Sequence, residues 1–186
     1  MKKFLLSVCI AFVGMCASAQ QKGDMAVGLN LGVAPSLESG ASVTNFGIGA
    51  KFQYNITNPI RLEADLDYWF KDKGVDVFDI SVNAQYIFHI ANKINLYPLI
   101  GVGYAHHSSI AQGDPDFEGF DTPYGGYSKE EYENSFKGSS NSFLFNVGVG
   151  AQYALTSKIS MGLEIKYQYI QHLSRLPISL GVTYNF

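Results

Sequence analysis

Apolar and polar residues alternate with period two through most of this chain. In the stretch from Ile178 to Phe186, Ile178, Leu180, Val182, Tyr184 and Phe186 share one face, and Ser179, Gly181, Thr183 and Asn185 the other. Such alternation marks a strand whose two sides meet different surroundings. It predicts eight strands, at about 25–33, 45–54, 60–70, 76–88, 94–105, 142–154, 159–170 and 177–186. The second window presents Phe46, Ile48, Ala50, Phe52 and Tyr54 on its apolar face. The seventh presents Ile159, Met161, Leu163, Ile165, Tyr167 and Tyr169. No charged or amide side chain interrupts any of the eight apolar faces. Pro98 is the irregularity, since proline cannot donate to a ladder; it marks a bulge or a misplaced window.

The opposite face is small, polar or charged. It carries glycines (Gly28, Gly49, Gly101, Gly150), amides, and the charges Lys51, Arg61, Glu63, Asp65, Asp67, Asp79, Glu164 and Lys166. An eight-stranded barrel has an interior only just wide enough for its side chains. The bulky apolar set would overfill that space, whereas the glycine-rich polar set suits it. The expected fold is therefore all-β: an eight-stranded antiparallel up-and-down transmembrane β-barrel, apolar side outward to lipid. Closure satisfies every backbone group where no water can. Aromatic placement agrees. With odd strands running outward, Tyr54, Tyr86, Phe88, Tyr153, Tyr184 and Phe186 fall at one end, and Phe46, Tyr68, Phe70, Phe78, Tyr104 and Phe143 at the other. These are two girdles at the membrane interfaces. Three connections at the first end are short (55–59, 89–93 and 155–158); at the other end 34–44, 71–75 and 171–176 are modest and 106–141 is long.

Composition narrows the setting. Lys2 and Lys3, the apolar run Phe4 to Val13, and Ala17-Ser18-Ala19 form a secretory signal peptide cleaved after residue 19, leaving 20–186 as one barrel domain. Cys16 raises a lipoprotein alternative, but Met15 stands where that motif wants a small residue. Both cysteines, Cys9 and Cys16, fall inside the leader, so thiol chemistry is not expected of the mature chain. No further apolar run reaches the roughly 18 residues of a membrane helix. No basic stripe points to nucleic acid.

The leader, the eight strands, the short turns and the ending Gly181, Tyr184, Phe186 together resemble the small outer-membrane β-barrel family of OmpX, the opacity proteins and the N-terminal barrel of OmpA. The resemblance spans the mature chain. It implies a location in the cell outer membrane, contact with outer-membrane lipid, and a C-terminal signal read by the barrel assembly machinery. A monomer with no cofactor is expected. The family includes adhesins, stabilising proteins, small pores and a few enzymes, so it specifies architecture better than activity.

Three candidate sites follow. The eight interior charges form either a salt-bridge plug or an ion-selective pore; unpaired, they would be costly. If the first turn pairs residues 54 and 60, Lys51 lies opposite Glu63, and His89 is a further candidate for the same interior. The long outer connection carries Asp114, Asp116, Glu118, Asp121, Glu130, Glu131 and Glu133 against Lys129 and Lys137, with Phe117, Phe120, Tyr124, Tyr127 and Tyr132 interleaved. Aromatic anchors in a long loop suit an extracellular protein ligand. A calcium site at 114–118 lacks EF-hand spacing. Third, His106 and Ser108 share the lipid-facing parity of Tyr104, similar to the His-x-Ser step of the outer-membrane lipid A deacylase, with Glu118 as the orienting acid; Ser109-Ile110 departs from that family's pattern. The leading expectation is a non-enzymatic barrel with a structural or surface-interaction role. A narrow pore comes second, and a lipid A-modifying serine hydrolase is a distant third.

Overall fold

The computed structural model describes residues 22–37, 43–72, 74–110, 137–171 and 173–186. The leader expectation (1–19) and the loop aromatics Phe117, Phe120, Tyr124, Tyr127 and Tyr132 lie outside the described residues, as does Glu118. The described residues form ten strands: β1 (Met25–Pro35), β2 (Thr44–Asn55), β3 (Ile60–Asp72), β4 (Val75–Tyr86), β5 (Phe88–Ala91), β6 (Ile94–Ile110), β7 (Lys137–Ala154), β8 (Ile159–Ile170), β9 (Leu173–Arg175) and β10 (Ile178–Asn185). All neighbours pair antiparallel. β5 continues β4 along β6, and β9 with β10 lies along β8, so the ten strands make eight staves. β10 pairs with both β8 and β1, and the sheet closes on itself. Closure leaves no edge along the seam: Phe186 N–H donates to the Met25 carbonyl at 3.0 Å. The protein is an eight-stranded closed antiparallel β-barrel.

Exposure is inverted relative to a soluble core. Leu29 is 70% exposed and Val102 63%, while Arg61 and Glu63 are 0% exposed. β3 alternates residue by residue, its odd positions Arg61 to Trp69 facing the interior and its even positions facing out. Along β6 the outward apolar run Ile94 to Tyr104 spans about 25 Å at roughly 3.3 Å per residue and a tilt of about 40°, the height of an outer-membrane apolar band. Aromatic contacts gather at both margins. Phe46 stacks on Phe70 and Tyr104 meets Phe143 edge-on at one end, and Tyr86 packs against Phe88 at the other.

The interior is packed by setting large side chains over glycines on the facing strand. Trp69 lies opposite Gly47, where a Cβ would come within 2.4 Å of its ring. Tyr97 lies opposite Gly150, again with 2.4 Å available. Only glycine admits an aromatic ring flat against the neighbouring backbone at that distance.

Several expectations are corrected. Pro98 is neither bulged nor misplaced: it keeps register opposite Val149 on β7 and faces out. Its effect is on the other side, where the ladder between β4 and β6 stops at Gln85↔Leu99 and resumes as Phe88↔Leu96 in the same register, the missing donor accounting for the gap. The first turn is wider than the 54–60 pairing assumed. Tyr54 pairs with Leu62, and Lys51 lies opposite Asp65 instead of Glu63. The long connection is shorter than 106–141, because β6 and β7 remain paired up to Ile110↔Lys137. The interior face is also less uniformly polar than expected. Trp69, Val77, Ala105, Leu144 and Ile170, with Ala34, form an apolar cluster at the loop end, and Ile87, Tyr97 and Leu99 another toward the turn end.

Candidate functional site

Between the two apolar clusters the interior holds a continuous polar network. Register sets it up: Lys51, Asp65 and Ser81 align across β2, β3 and β4, with Gln53, Glu63 and Asn83 one step below. Lys51 Nζ lies 2.9 Å from Glu164 Oε1 and 3.3 Å from Glu63 Oε2. Lys166 Nζ lies 2.9 Å from Asp65 Oδ2 and 3.6 Å from Glu164 Oε2. Neutral donors complete the carboxylates. Gln53 Nε2 and Gln85 Nε2 donate to Glu63 at 2.6 and 2.8 Å, Asn83 Nδ2 to Asp65 at 2.8 Å, and the Tyr97 hydroxyl to Glu164 at 2.8 Å. A buried charge is tolerable when paired and hydrogen-bonded in this way.

Arg61 joins from the turn end. It donates to Gln85 Oε1 at 2.5 Å and to Gln152 Oε1 at 2.9 Å, and its guanidinium lies 4.8 Å from the Tyr97 ring centroid. The shared Gln85 links Arg61 to Glu63. At the loop end Asp79 accepts from Arg175 Nη2 at 2.5 Å and from Trp69 Nε1 at 3.0 Å, while Arg175 covers the Trp69 ring at 4.8 Å and also donates to Gln168. Asp67 accepts from Asn30 Nδ2 at 3.0 Å.

Of the eight interior charges singled out from the sequence, the structure brings Lys51, Glu63, Asp65, Glu164 and Lys166 into one cluster. Arg61 hangs from that cluster by an amide, and Asp79 sits apart with Arg175. His89 is not in the interior: it is exposed, and its Nδ1 lies 2.7 Å from Asn95 Oδ1 at the turn end. Arg175 was missed because its segment reads as a loop. Its parity with the inward Ser179, Gly181 and Thr183 was the available signal. Tyr97 and Trp69 were missed as interior residues because aromatics elsewhere in the chain face lipid.

Carboxylate oxygens of Glu63, Asp65 and Glu164 lie within 4.8 Å of one another. The Lys51 and Lys166 ammonium groups already stand against them, supplying the positive charge a cation would bring. Beside Lys51, Gln53, Tyr97, Gln152 and Glu164, a cavity of about 10 Å³ has room for about one water molecule.

Above the loop-end girdle the outward face turns polar. His106 Nδ1 lies 2.7 Å from Asn141 Oδ1 across the β6–β7 pair, and Ser108 faces Ser139. The His106 nitrogen thus engages an amide on β7 and not Ser108. Gly181 and Tyr184 lie on β10, paired to Asn30 and Val27 of β1, and the Lys158 ammonium stands 6.0 Å from the Tyr184 ring centroid.

An apolar belt facing out, a charged packed interior and a closed sheet define an outer-membrane barrel. The chain belongs to the outer membrane protein β-barrel domain family, whose profile matches residues 5–186. Solved structures are similar to it throughout: Neisserial surface protein A at a TM-score of 0.67 and 17% identity, covering 89% of this chain and 100% of that one. Ail, the attachment invasion locus protein of Yersinia pestis, is similar at 0.59 and 17%, with coverage of 89% and 100%. The N-terminal β-barrel domain of Pseudomonas aeruginosa OprF gives 0.57 and 17%, with 90% and 100%. At such identities the likeness carries the fold alone. No curated protein sequence matches the chain.

Proposed function

We propose that this outer-membrane protein is a sealed, non-catalytic barrel whose role is to present its loop-end connections to partners outside the cell. The observation that carries this is the filled lumen. Two apolar clusters bracket a network in which Lys51, Arg61 and Lys166 are each held by buried acceptors, and Arg175 is held by Asp79 within the loop-end cluster. A scaffold whose described interior is this closely packed leaves its surface as the working part. The β6–β7 pair runs past the girdle to Ile110 and Lys137 and carries the acidic, aromatic-rich segment 111–136. Short turns on one side and longer loops on the other match the periplasmic and extracellular ends of such barrels. Export with removal of residues 1–19, assembly through the Gly181–Tyr184–Phe186 ending, and a monomeric state complete the proposal.

Ail offers a comparison by its description as an attachment protein and by its complex with the heparin analogue sucrose octasulfate. The acidic segment here suits the opposite chemistry, a protein with a basic face and apolar pockets for Phe117, Phe120, Tyr124, Tyr127 and Tyr132. Deleting 114–136 and repeating a pull-down on intact cells tests it. Loss of a captured extracellular protein, with the barrel still folded, is expected; undiminished capture refutes the loop's role. The second reading, a narrow pore, rests on the water-sized cavity at Glu164. Planar-bilayer recordings should show no open-channel steps from the native protein, and large steady currents would reverse the ranking.

A further inference from the structure

We infer that the turn end of the barrel is a docking surface for anionic phospholipid headgroups, built from an aliphatic collar and a ring of lysines. The juxtaposition is repeated three times. Two residues beyond the girdle positions Tyr54, Phe88 and Tyr153 stand Ile56, Ile90 and Leu155, which are 39%, 62% and 36% exposed. Ile56 and Leu155 are the first residues past the ends of β2 and β7, and Ile90 lies in β5, so each follows an outward-facing girdle aromatic toward the headgroup layer. An aliphatic side chain at a turn in contact with water gains nothing, whereas one directed outward below an aromatic girdle extends the apolar band into the headgroup layer.

The lysines lie at the same level. Lys22 and Lys158 are exposed and Lys93 is half-buried. Lys93 and Lys158 each immediately precede the first residue of a stave, Ile94 and Ile159. Lys22 is fixed beside the first turn by its backbone N–H, which donates to Asn58 Oδ1 at 3.0 Å. The Lys158 ammonium sits over the Tyr184 ring, itself a girdle residue, so at least one ammonium is at headgroup depth. Among the described residues of this end the acids are the Asp24 side chain and the carboxylate of Phe186 against Lys22, Lys93 and Lys158, so the rim is net positive. At the loop end Lys71 is accompanied by Asp72 and Asp76. Lysine stems that cover apolar surface while the ammonium reaches a phosphate are the expected use of this residue at an interface. The positive charge and its continuity with the girdle commit the surface to lipid phosphates and not to a soluble periplasmic partner.

The test uses the full folded protein in vesicles of phosphatidylethanolamine mixed with either phosphatidylglycerol or phosphatidylcholine, with lipid retention read by native mass spectrometry. Phosphatidylglycerol should be retained preferentially, and the preference should fall about fivefold per lysine in Lys22→Gln, Lys93→Gln and Lys158→Gln variants. It should weaken at high salt, while Lys71→Gln leaves it unchanged. Lys22→Gln and Lys158→Gln change exposed side chains, so each remains informative if the triple variant fails to fold. Equal retention of both lipids overturns the proposal, as does a preference that survives the lysine changes or falls equally with Lys71→Gln. Competition by inorganic phosphate beyond that of chloride at equal ionic strength would mean a free-anion site and would also overturn it. None of these outcomes depends on what the loop end binds.

Discussion

At the level of single residues, stability rests on who shares a space with whom. Asp79 is the acceptor for both Arg175 and Trp69. Removing its carboxylate leaves a guanidinium buried without its counter-charge, which costs about 3–5 kcal/mol. Asp79→Ala should lower unfolding stability in lipid by that amount, and a paired Arg175→Met change should recover most of it, as measured by urea titration. Glycines divide just as sharply. At Gly150 a methyl group would meet the Tyr97 ring, so Gly150→Ala should cost about 1–3 kcal/mol. At Gly162 the nearest atoms are the Ala151 carbonyl at 3.6 Å and the Tyr97 hydroxyl at 3.8 Å, so Gly162→Ala should instead gain about 0.4–1 kcal/mol. Both glycines read alike in the sequence. What separates them is where one tyrosine ring lies, and that depends on the Tyr97↔Gly150 pairing of β6 with β7 across the long connection.

At the level of strands, alternation located every stave but not its ends or its partner register. Ladder pairing extends β6 and β7 past their apolar faces, because hydrogen bonding between neighbours continues after the lipid contact that produces the pattern has ended. Arg175 escaped for a related reason: Pro177 separates β9 from β10, and a three-residue strand carries too little alternation to be seen. Pro98 supplies a test. The Ile87 N–H turns toward the Pro59 carbonyl, so the neighbouring Tyr86 turns its groups toward position 98. Pro98→Ala should restore one ladder bond, joining β4 and β5 into a single strand and stabilising the barrel by about 0.5–1.5 kcal/mol. Hydrogen exchange should show the new amide at position 98 protected; rapid exchange there would refute the account.

At the level of the whole molecule, the barrel separates scaffold from surface. Loop-closure entropy varies slowly with length. Deleting 114–136 should therefore shift barrel stability by less than about 1 kcal/mol, measured as the unfolding midpoint, even as it removes the proposed binding segment. The same closure that abolishes strand edges also packs the lumen. The unheated protein should accordingly run ahead of its boiled form on a detergent gel, as a cooperative barrel does and a loose sandwich does not.

The sequence by itself determined which side of each strand meets lipid, because that choice is written locally, one residue in two. It also named most of the interior charges, since a Lys or Glu opposite an apolar face has nowhere else to go. Only the closed tertiary structure decided their partners. Lys51 meets Glu164 across 113 positions, and Arg175 meets Asp79 across 96. Contacts at such separations arise from registers summed around a ring, where a shift of two residues in one turn re-pairs every charge it carries. Closure likewise decided that the described interior side chains are buried against one another, because volume is a property of the ring and of no single strand.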